Sequence, residues 1–288
     1  MTESKRPAIR LYEIAIIVSL LIVWATPARA QFKPRPMGDP TMGETYHVEG
    51  AIDLWFPTAD LVITSGGSGA LSGILGTPID LKTDLGLTDQ KFPAFHVQLR
   101  PTKRNKFRFQ LIPINFTQTA TLTRDVVFNG QKYSIGLPVA SSLDWKAYRF
   151  GYEFDFISRD RGFAGFIVEA KYTDVAAMLT VPASGGRVAI NEFDQARAPI
   201  PAIGGTGRFY IVPNISVTAD ITGFRLPDNV VKSASGQYVD VDIYGTMNFT
   251  NNVGVQGGYR SLDVGYAFKT DSGTFTLKGP YFGLVARF

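Results

Sequence analysis

The feature that most constrains this chain is an alternation of apolar and polar residues with a period of two, repeated along most of its length. It is clearest at 148–156, where five aromatic residues alternate with positions that include Arg149, Glu153 and Asp155. A β-strand places successive side chains on opposite faces, so each such segment has one apolar and one polar face. Similar segments begin near positions 46, 95, 107, 164, 203, 215, 239, 253 and 274. We therefore predict an all-β chain of about ten strands, with eight or twelve as the alternatives.

The chemistry of the two faces favours a barrel in a membrane. A water-soluble barrel would turn its apolar face inward. Five large aromatic side chains from a single strand would not all fit inside the lumen of a narrow barrel. The hydrocarbon core of a membrane accepts only helices and closed barrels, because an open sheet edge would leave backbone groups unpaired. The sequence thus predicts a closed antiparallel transmembrane β-barrel with apolar residues outward and polar residues inward.

The joins between segments support the same architecture. Short joins at 101–105, 158–162, 212–214 and 249–252 alternate with longer ones at 57–90, 181–200 and 225–237, while 129–130 and 271–273 look like tight turns. Short turns at one end and longer loops at the other are typical of transmembrane barrels, with both chain ends on the periplasmic side. The alternation changes parity near Arg260 and Ser261 and near Gly279 and Pro280, which predicts β-bulges at both places.

The N-terminus has the layout of a secretory signal. Lys5, Arg6 and Arg10 precede an apolar run that ends before the small-residue site 28–30. We expect residues 1–30 to be a cleaved signal peptide, 31–44 a flexible periplasmic lead-in, and 45–288 the barrel. The chain has no cysteine, so disulfides do not stabilise it, and its one long apolar stretch lies within this signal, which excludes a bundle of spanning helices.

The charge balance gives no sign of a nucleic-acid partner. The first 30 residues hold four basic and two acidic residues, and removing them from the chain's 29 and 25 leaves 25 basic against 23 acidic residues. A nucleic-acid-binding surface needs a clustered basic face. We therefore expect no nucleic-acid partner.

The last nine residues carry a resemblance to a known class. The segment 280–288 ends in an aromatic residue and places Phe282, Leu284, Ala286 and Phe288 on one face. This resembles the terminal β-signal of Gram-negative outer-membrane β-barrel proteins, and the chain looks like a small member of that class, without indicating a subfamily. The resemblance implies a location in the outer membrane, recognition of the last strand by the assembly machinery, and contact with outer-membrane lipid and lipopolysaccharide.

The polar face supplies the candidate site residues. We expect them to form a network of paired charges in the lumen that would also line any pore: His47, Glu49, Asp53, His96, Arg100, Arg108, Arg149, Glu153, Glu169, Lys171, Arg208, Asp220, Asp240, Asp242 and Arg260, with Arg287 beside them. An unpaired charge in a narrow barrel would be costly. A metal site or proton shuttle could be drawn from the first four, but a satisfied network is the favoured interpretation, with no cofactor and no bound metal.

Catalytic chemistry finds little support. Barrel proteases of the omptin type would show an Asp-x-His pair and lipid A deacylases a His-x-Ser pair, and neither His47 nor His96 has such neighbours. We therefore expect no enzyme. The sequence favours a structural outer-membrane protein or a narrow pore for small polar solutes. The alternative is a surface module whose loops bind lipopolysaccharide or external ligands, and a lipid-active enzyme is less favoured.

Three smaller groups complete the sequence predictions. Asp80, Asp84 and Asp89 in the first long loop lack the ligand density of a calcium loop and are interpreted as solvated charge. The glycine-rich stretch 66–69 lacks the lysine and helix of a phosphate-binding loop and is interpreted as a flexible loop. Four aromatic residues near strand ends are expected in interfacial girdles: Tyr46, Trp55, Trp145 and Tyr148.

Overall fold

The computed structural model describes residues 35–36, 38–67, 73–181, 190–231 and 234–288. The predicted signal peptide lies outside these ranges. The strands are β1 (Val48–Trp55), β2 (Thr58–Thr64), β3 (Ile79–Asp80), β4 (Phe92–Leu99), β5 (Asn105–Thr121), β6 (Val126–Phe128), β7 (Gln131–Tyr133), β8 (Pro138–Arg159), β9 (Gly162–Val181), β10 (Ile190–Val212), β11 (Ile215–Val231), β12 (Ala234–Asn248), β13 (Val253–Phe268) and β14 (Asp271–Arg287). No helix among these residues is long and apolar enough to cross a membrane.

Ten of these strands form a closed antiparallel barrel, as the sequence predicts. The order around the wall is β1, β4, β5, then β8 through β14, and β1 closes the ring by pairing with β14 from Glu49↔Arg287 to Trp55↔Tyr281. Short turns connect the strands at the end that holds the C-terminus, which we call the terminal end. The opposite end carries the longer connections together with the tight turn between β13 and β14, and we call it the loop end.

An apolar belt surrounds the half of the barrel nearest the terminal end. On each strand about nine residues contribute to it, which at about 3.3 Å per residue and a tilt near 40° gives a band roughly 25 Å tall. Its exposed outward side chains include Ile52, Val97, Phe109, Phe150, Val168, Ile203, Ile221, Ile243, Tyr259 and Phe282. This height matches the apolar band of outer-membrane barrels, and we call it the lipid band.

Above the lipid band the two faces of the wall exchange their chemistry. On β5, Lys106 and Gln110 point inward within the band, whereas Ile112 and Phe116 occupy the same inward face farther up and are buried. The outward residues change in the opposite sense, from Phe109 to polar side chains at 115–121. The part of the barrel beyond the lipid band is therefore apolar inside and polar outside, as in a water-soluble protein.

This second half, which we call the head, consists of β2, β3, the hairpin β6–β7 and the upper parts of β5 and β8–β14. Its strands continue for about seven to nine residues above the band, or roughly 20 Å. Its interior is filled by side chains from the wall together with Leu81, Leu85 and Leu87 of the β3–β4 loop and Val126 and Phe128 of the hairpin. The result is a packed apolar core above a polar lumen.

The wall of the head contains a seam between β2 and β5. β4 pairs with β5 only up to Phe95↔Leu111, and β2 pairs with the two-residue strand β3. The β3–β4 loop fills the gap and is attached to β2, because Leu81 N–H donates to Leu61 O at 2.9 Å and Ala59 N–H donates to Asp89 Oδ1 at 3.0 Å. The segment 57–90, expected to be one long loop, thus contributes β2 and β3 to the fold.

The bulges predicted near Arg260 and Gly279 are wrong. β13 and β14 pair without interruption through Arg260↔Gly279 and Ser261↔Lys278. The same side of the strand faces inward throughout. The inward residues change from polar at Arg260 to apolar at Leu262 because the surroundings outside the wall change from lipid to water. Register shifts occur instead at 155–157, 210–212 and 226–231.

Other connections also differ from the sequence prediction. β9 ends at Val181 and β10 begins at Ile190, and β11 ends at Val231 and β12 begins at Ala234. The loops predicted at 181–200 and 225–237 are therefore largely strand. The turn expected at 271–273 lies before β14, next to Lys269, whose φ is 54°. The tight turn at Asn129 and Gly130 is confirmed, with φ of 49° and 77°, as a two-residue hairpin of this type requires.

Candidate functional site

The lumen within the lipid band is filled by interlocked ion pairs. Asp240 lies at the centre of one cluster and accepts two hydrogen bonds from Arg260, at 3.0 and 2.7 Å. Lys171 Nζ lies 2.9 Å from both Asp240 Oδ2 and Glu169 Oε1, and Glu169 is also paired with Arg149. Adjacent strands carry these groups on their inward faces, so the cluster braces β8, β9, β12 and β13 across the lumen.

A second cluster lies nearer the terminal end. Lys106 is fully buried, with its Nζ 2.6 Å from Glu153 Oε1 and 2.9 Å from Asp155 Oδ2. Arg108 joins the same group, donating to Glu153 Oε2 at 3.0 Å and pairing with Asp220 on the opposite side of the barrel. The contact between Arg108 on β5 and Asp220 on β11 spans the lumen, because these strands are not neighbours in the wall.

The two predicted histidines do not come together. His96 Nε2 lies 3.0 Å from Asp53 Oδ2, and Gln256 donates to the other carboxylate oxygen at 2.8 Å. His47 lies exposed at the terminal mouth, where its Nδ1 is 3.1 Å from Arg100 O. The remaining candidate ligand, Glu49, pairs with Arg287. The described residues contain no group of three or more His, Asp or Glu side chains placed to hold a metal ion.

Little free space remains between these groups. The cavity at the centre of the lumen has a volume of ≈40 Å³ and is lined by polar side chains such as His96, Arg108, Asp242 and Tyr281. That volume holds only a few water molecules. Asp242 accepts a hydrogen bond from the Tyr281 hydroxyl at 2.9 Å.

The terminal mouth is closed by the segment before β1. Glu44 turns into the barrel, where Oε1 lies 3.0 Å from Arg208 Nη1 and Oε2 lies 3.2 Å from Arg100 Nη1. Burial alone would raise the pKa of Glu44, but Arg208, Tyr210 and Arg100 together lower it to about 2. Met42 is buried, and its backbone carbonyl accepts a hydrogen bond from Asn248 Nδ2 at 3.1 Å.

Residues 38–44 are therefore an ordered closure of the mouth, although the sequence pattern indicated a flexible lead-in. The pattern fails here because backbone and carboxylate contacts hold the segment, and such contacts leave no periodic signal. Gly43 is needed at this point: its φ is +76°, and a Cβ there would lie 2.5 Å from Arg287 Nη1. We call 38–47 the terminal plug.

The loop end is closed by the head core and by the hairpin that covers the seam. Thr77 N–H donates to Val127 O at 2.9 Å, which ties β6 to the start of β3. Arg124 forms an ion pair with Asp84 at 2.6 Å and donates to Pro78 O at 2.5 Å. The hydrogen bond from Arg124 holds the pKa of Asp84 below its usual value.

The three loop aspartates predicted as solvated charge each have a separate structural contact. Asp80 accepts hydrogen bonds from the backbone N–H groups of Lys82 and Thr83, Asp84 binds Arg124, and Asp89 binds Lys82 and Ala59 N–H. They stabilise the loop that fills the seam, and they do not converge on a common point. In the glycine-rich stretch, Gly66 N–H donates to Asp271 Oδ1 at 3.0 Å.

Most predicted lumen residues point inward, and the structure adds three that the list lacked. Lys106 and Asp155 continue the inward alternation of β5 and β8, so the periodicity could have identified them. Glu44 precedes the first strand and leaves no such signal. His47 is the member of the predicted set that lies outside the lumen, at the mouth.

The predicted aromatic girdle is largely wrong. Trp55 and Trp145 are each 2% exposed and point inward, and Tyr46 is buried beneath the guanidinium of Arg100. Tyr148 does face outward, at the upper edge of the lipid band. The error arises because the two tryptophans sit where the inward face becomes apolar, so core packing explains their positions.

The last strand has the arrangement expected of an outer-membrane signal strand. Phe282, Leu284 and Phe288 are exposed on the outer wall, and Ala286 lies on the same face. Phe288 exchanges backbone hydrogen bonds of 2.8 Å with Val48, so the end of the chain closes the barrel. Recognition of this strand by the assembly machinery stays a prediction.

Comparison with known proteins identifies the architecture. No protein-family model matches this chain, and no curated protein matches it significantly. Among solved structures, the outer membrane protease OmpT from Escherichia coli matches with a TM-score of 0.51 and 8% identity, covering 88% of this chain and 100% of OmpT. The chain has the outer-membrane β-barrel fold. That fold supports an outer-membrane location.

Two further structures are similar at lower scores. The toluene transporter TodX from Pseudomonas putida matches with a TM-score of 0.36 and 10% identity, covering 94% of this chain and 93% of TodX. The attachment invasion locus protein Ail from Yersinia pestis matches with a TM-score of 0.34 and 11% identity, covering 84% of this chain and 99% of Ail. At 8% identity, the match to OmpT shows the fold alone and leaves the activity of this chain open.

Proposed function

We propose that this protein is a sealed, structural outer-membrane barrel whose head projects from the cell surface and makes its contacts with external molecules. The observation that carries the proposal is the double closure of the lumen. Ion pairs and the terminal plug fill the lipid-band half, and an apolar core fills the head. A hydrated ion needs a continuous water path, and the central cavity has a volume of only ≈40 Å³. It shares no lining residue with the ≈970 Å³ space at the terminal mouth, which the terminal plug residues Glu44 and Tyr46 line.

The surface role rests on the shape of the head. A barrel that only stabilised the membrane would need strands as long as the lipid band, yet these strands continue roughly 20 Å beyond it. Their outward faces are mostly polar and their inner faces are packed around Trp145, Phe275 and Leu277. This construction is that of a rigid platform standing in water.

A role without catalysis is part of the proposal. Its support is the surroundings of His96, the histidine in the lumen. A Ser or Thr hydroxyl activated by His would have to lie within hydrogen-bond reach of this ring. The described contacts of the ring are instead to the carboxylate of Asp53 and the amide of Gln110.

Single-channel recording tests the sealed lumen. Protein extracted from expressing cells and shown to migrate differently in unheated and boiled detergent gels is inserted into a planar bilayer, where we expect no discrete conductance steps. Steps that shrink or change ion preference in Arg149→Ala and Arg208→Ala variants would overturn the proposal in favour of the narrow pore that the sequence also allowed. These two residues line the closed lumen, so they would be the first to affect a current.

Labelling of intact cells tests the position of the head. Thr119 lies on the outward face of β5 in the head, and a Thr119→Cys variant should react with a membrane-impermeant maleimide. A Lys103→Cys variant, on a turn at the terminal end, is the matched control and should react only after the outer membrane is permeabilised. The opposite pattern would invert the orientation and refute a surface role.

A further inference from the structure

A polar groove crosses the outer wall of the head where β11, β12, β13 and β14 lie side by side. Its volume is ≈350 Å³. Arg225, Gln237, Gly265 and Thr274 form one row across the four strands, because Arg225 pairs with Gln237, Gln237 with Gly265, and Gly265 with Thr274. The neighbouring positions on β12 and β14 are small, with Ser235, Gly236 and Gly273, whereas Leu226 on β11 and Tyr266 beside Ala267 on β13 complete the lining.

The groove carries one exposed positive charge and uncharged hydrogen-bond donors. Arg225 points outward and has no ion-pair partner among the described side chains. The Gln237 side chain lies over Gly265, where an added Cβ would be only 3.2 Å from Gln237 Cγ, so the missing side chain at 265 makes room for it. A guanidinium beside an amide and the Thr274 hydroxyl suits a phosphate with neighbouring sugar hydroxyls.

The height of the groove restricts the source of such a ligand. On β11 the exposed apolar residue below the groove is Ile221, and on β12 it is Val239, both on the outer wall of the lipid band. A molecule with acyl chains against these residues would place its polar headgroup at Arg225. On β13 and β14 the exposed pair Asp263 and Lys278 lies between the groove and the lipid band, so it is the β11–β12 side of the groove, with Arg225, that lies at the level of lipid headgroups next to the hydrocarbon boundary.

We propose that this groove binds the phosphorylated sugar headgroup of an outer-leaflet glycolipid, namely the lipid A part of lipopolysaccharide. Arg225 contacts a phosphate, and Gln237 and Thr274 bind the sugar. The inference does not depend on the sealed lumen, so conductance steps would leave it standing. It does require the loop end to face outward, which the cell-labelling experiment measures separately.

Lipid binding by purified, folded protein in detergent micelles tests the proposal, with bound lipid counted by native mass spectrometry. The probes are purified lipid A, the same lipid A without its phosphates, and phosphatidylglycerol. We expect lipid A to bind best, and Arg225→Ala to weaken it about tenfold, as for the loss of one charge-assisted contact. Lipid A without its phosphates should bind weakly to the wild type, and the Arg225→Ala substitution should not weaken that binding further.

A matched charge control separates a specific contact from general attraction. Lys103→Ala removes one exposed positive charge at the terminal end and should bind lipid A like the wild type. Equal loss in Lys103→Ala and Arg225→Ala would overturn the proposal. So would wild-type affinity in Arg225→Ala, or phosphatidylglycerol binding as tightly as lipid A, which would make the groove a general phospholipid contact.

Discussion

A lysine scan along the outer face of β9 measures where the lipid band ends. Val168 lies at the middle of the band, and Met178 lies on the same outward face in the head; they are 49% and 41% exposed, respectively. Because the two side chains are nearly equally accessible, a Lys at either position loses a similar contact area with the protein. Any difference in cost between the variants therefore reports the medium outside the wall.

The expected difference follows from the depth of each position. Ten residues separate the two sites, which at about 3.3 Å per residue and the usual tilt is roughly 25 Å along the barrel axis. A Lys on the lipid face at the bilayer midplane costs about 2–4 kcal/mol, and an exposed substitution in water is usually within about 0.5 kcal/mol of neutral. Val168→Lys should thus reduce the folding equilibrium constant by about tenfold or more relative to Met178→Lys.

Denaturant unfolding from phosphatidylcholine vesicles provides the assay, read by the fluorescence of the buried Trp55 and Trp145. Val168→Leu serves as a control that keeps the position apolar and should unfold like the wild type. Equal costs for the two lysine variants would refute the division of the barrel into lipid band and head. A large cost at Met178 alone would mean that the membrane surrounds the head and not the half of the barrel assigned to the lipid band.

Two further substitutions test the closure of the lumen. Lys106→Met leaves Glu153 and Asp155 without their cation and should destabilise the fold by about 3–5 kcal/mol in the same unfolding assay, and adding Glu153→Gln and Asp155→Asn should recover much of this loss; no recovery would mean that packing of the Lys106 side chain is what matters. Glu44→Gln should cost up to about 3 kcal/mol near neutral pH, because the folded pKa of Glu44 is about 2 against an ordinary value of 4.5. The carboxylate stabilises the fold above its ordinary pKa and loses that effect as the pH falls toward 2, so the gap between wild type and variant should close over this range; a gap that does not depend on pH would contradict the assigned ion pairs.

The sequence predicts the barrel well because the information needed is local. Alternation within 148–156 or 164–173 reports directly which side of the wall each residue occupies, and ten such segments leave little choice of architecture. The closing contact between Phe288 and Val48 follows from a barrel in which the two terminal strands must meet. The inward charges were identified for the same reason, since each lies at the parity that the outward aromatic residues define.

Predictions failed where the meaning of the pattern depends on the medium around the strand. At Arg260 and Leu262 the polarity of the inward face changes with no change of register, and the sequence alone makes this look like an extra residue. The same change explains the positions of Trp55 and Trp145. β2 was missed because Pro57 interrupts the strand, and Glu44 because its partners, Arg100 and Arg208, are far away in the sequence.

The alignment of these polarity changes across strands ties the closed lumen to the projecting head. Pro113 on β5 pairs with Lys146 on β8, and Ser261 on β13 pairs with Lys278 on β14, which in turn pairs with Thr58 on β2. Each residue lies at or next to the point where the inward and outward faces of its own strand exchange polarity, so the changes coincide between these neighbouring strands. A slip of one residue in any strand would exchange its two faces. Below this point apolar residues would then point into the polar lumen, above it apolar residues would point into water, and both halves of the strand would be destabilised together. The boundary between lipid and water therefore fixes the register of the barrel, and the same boundary requires ion pairs in the lumen below it and an apolar core above it.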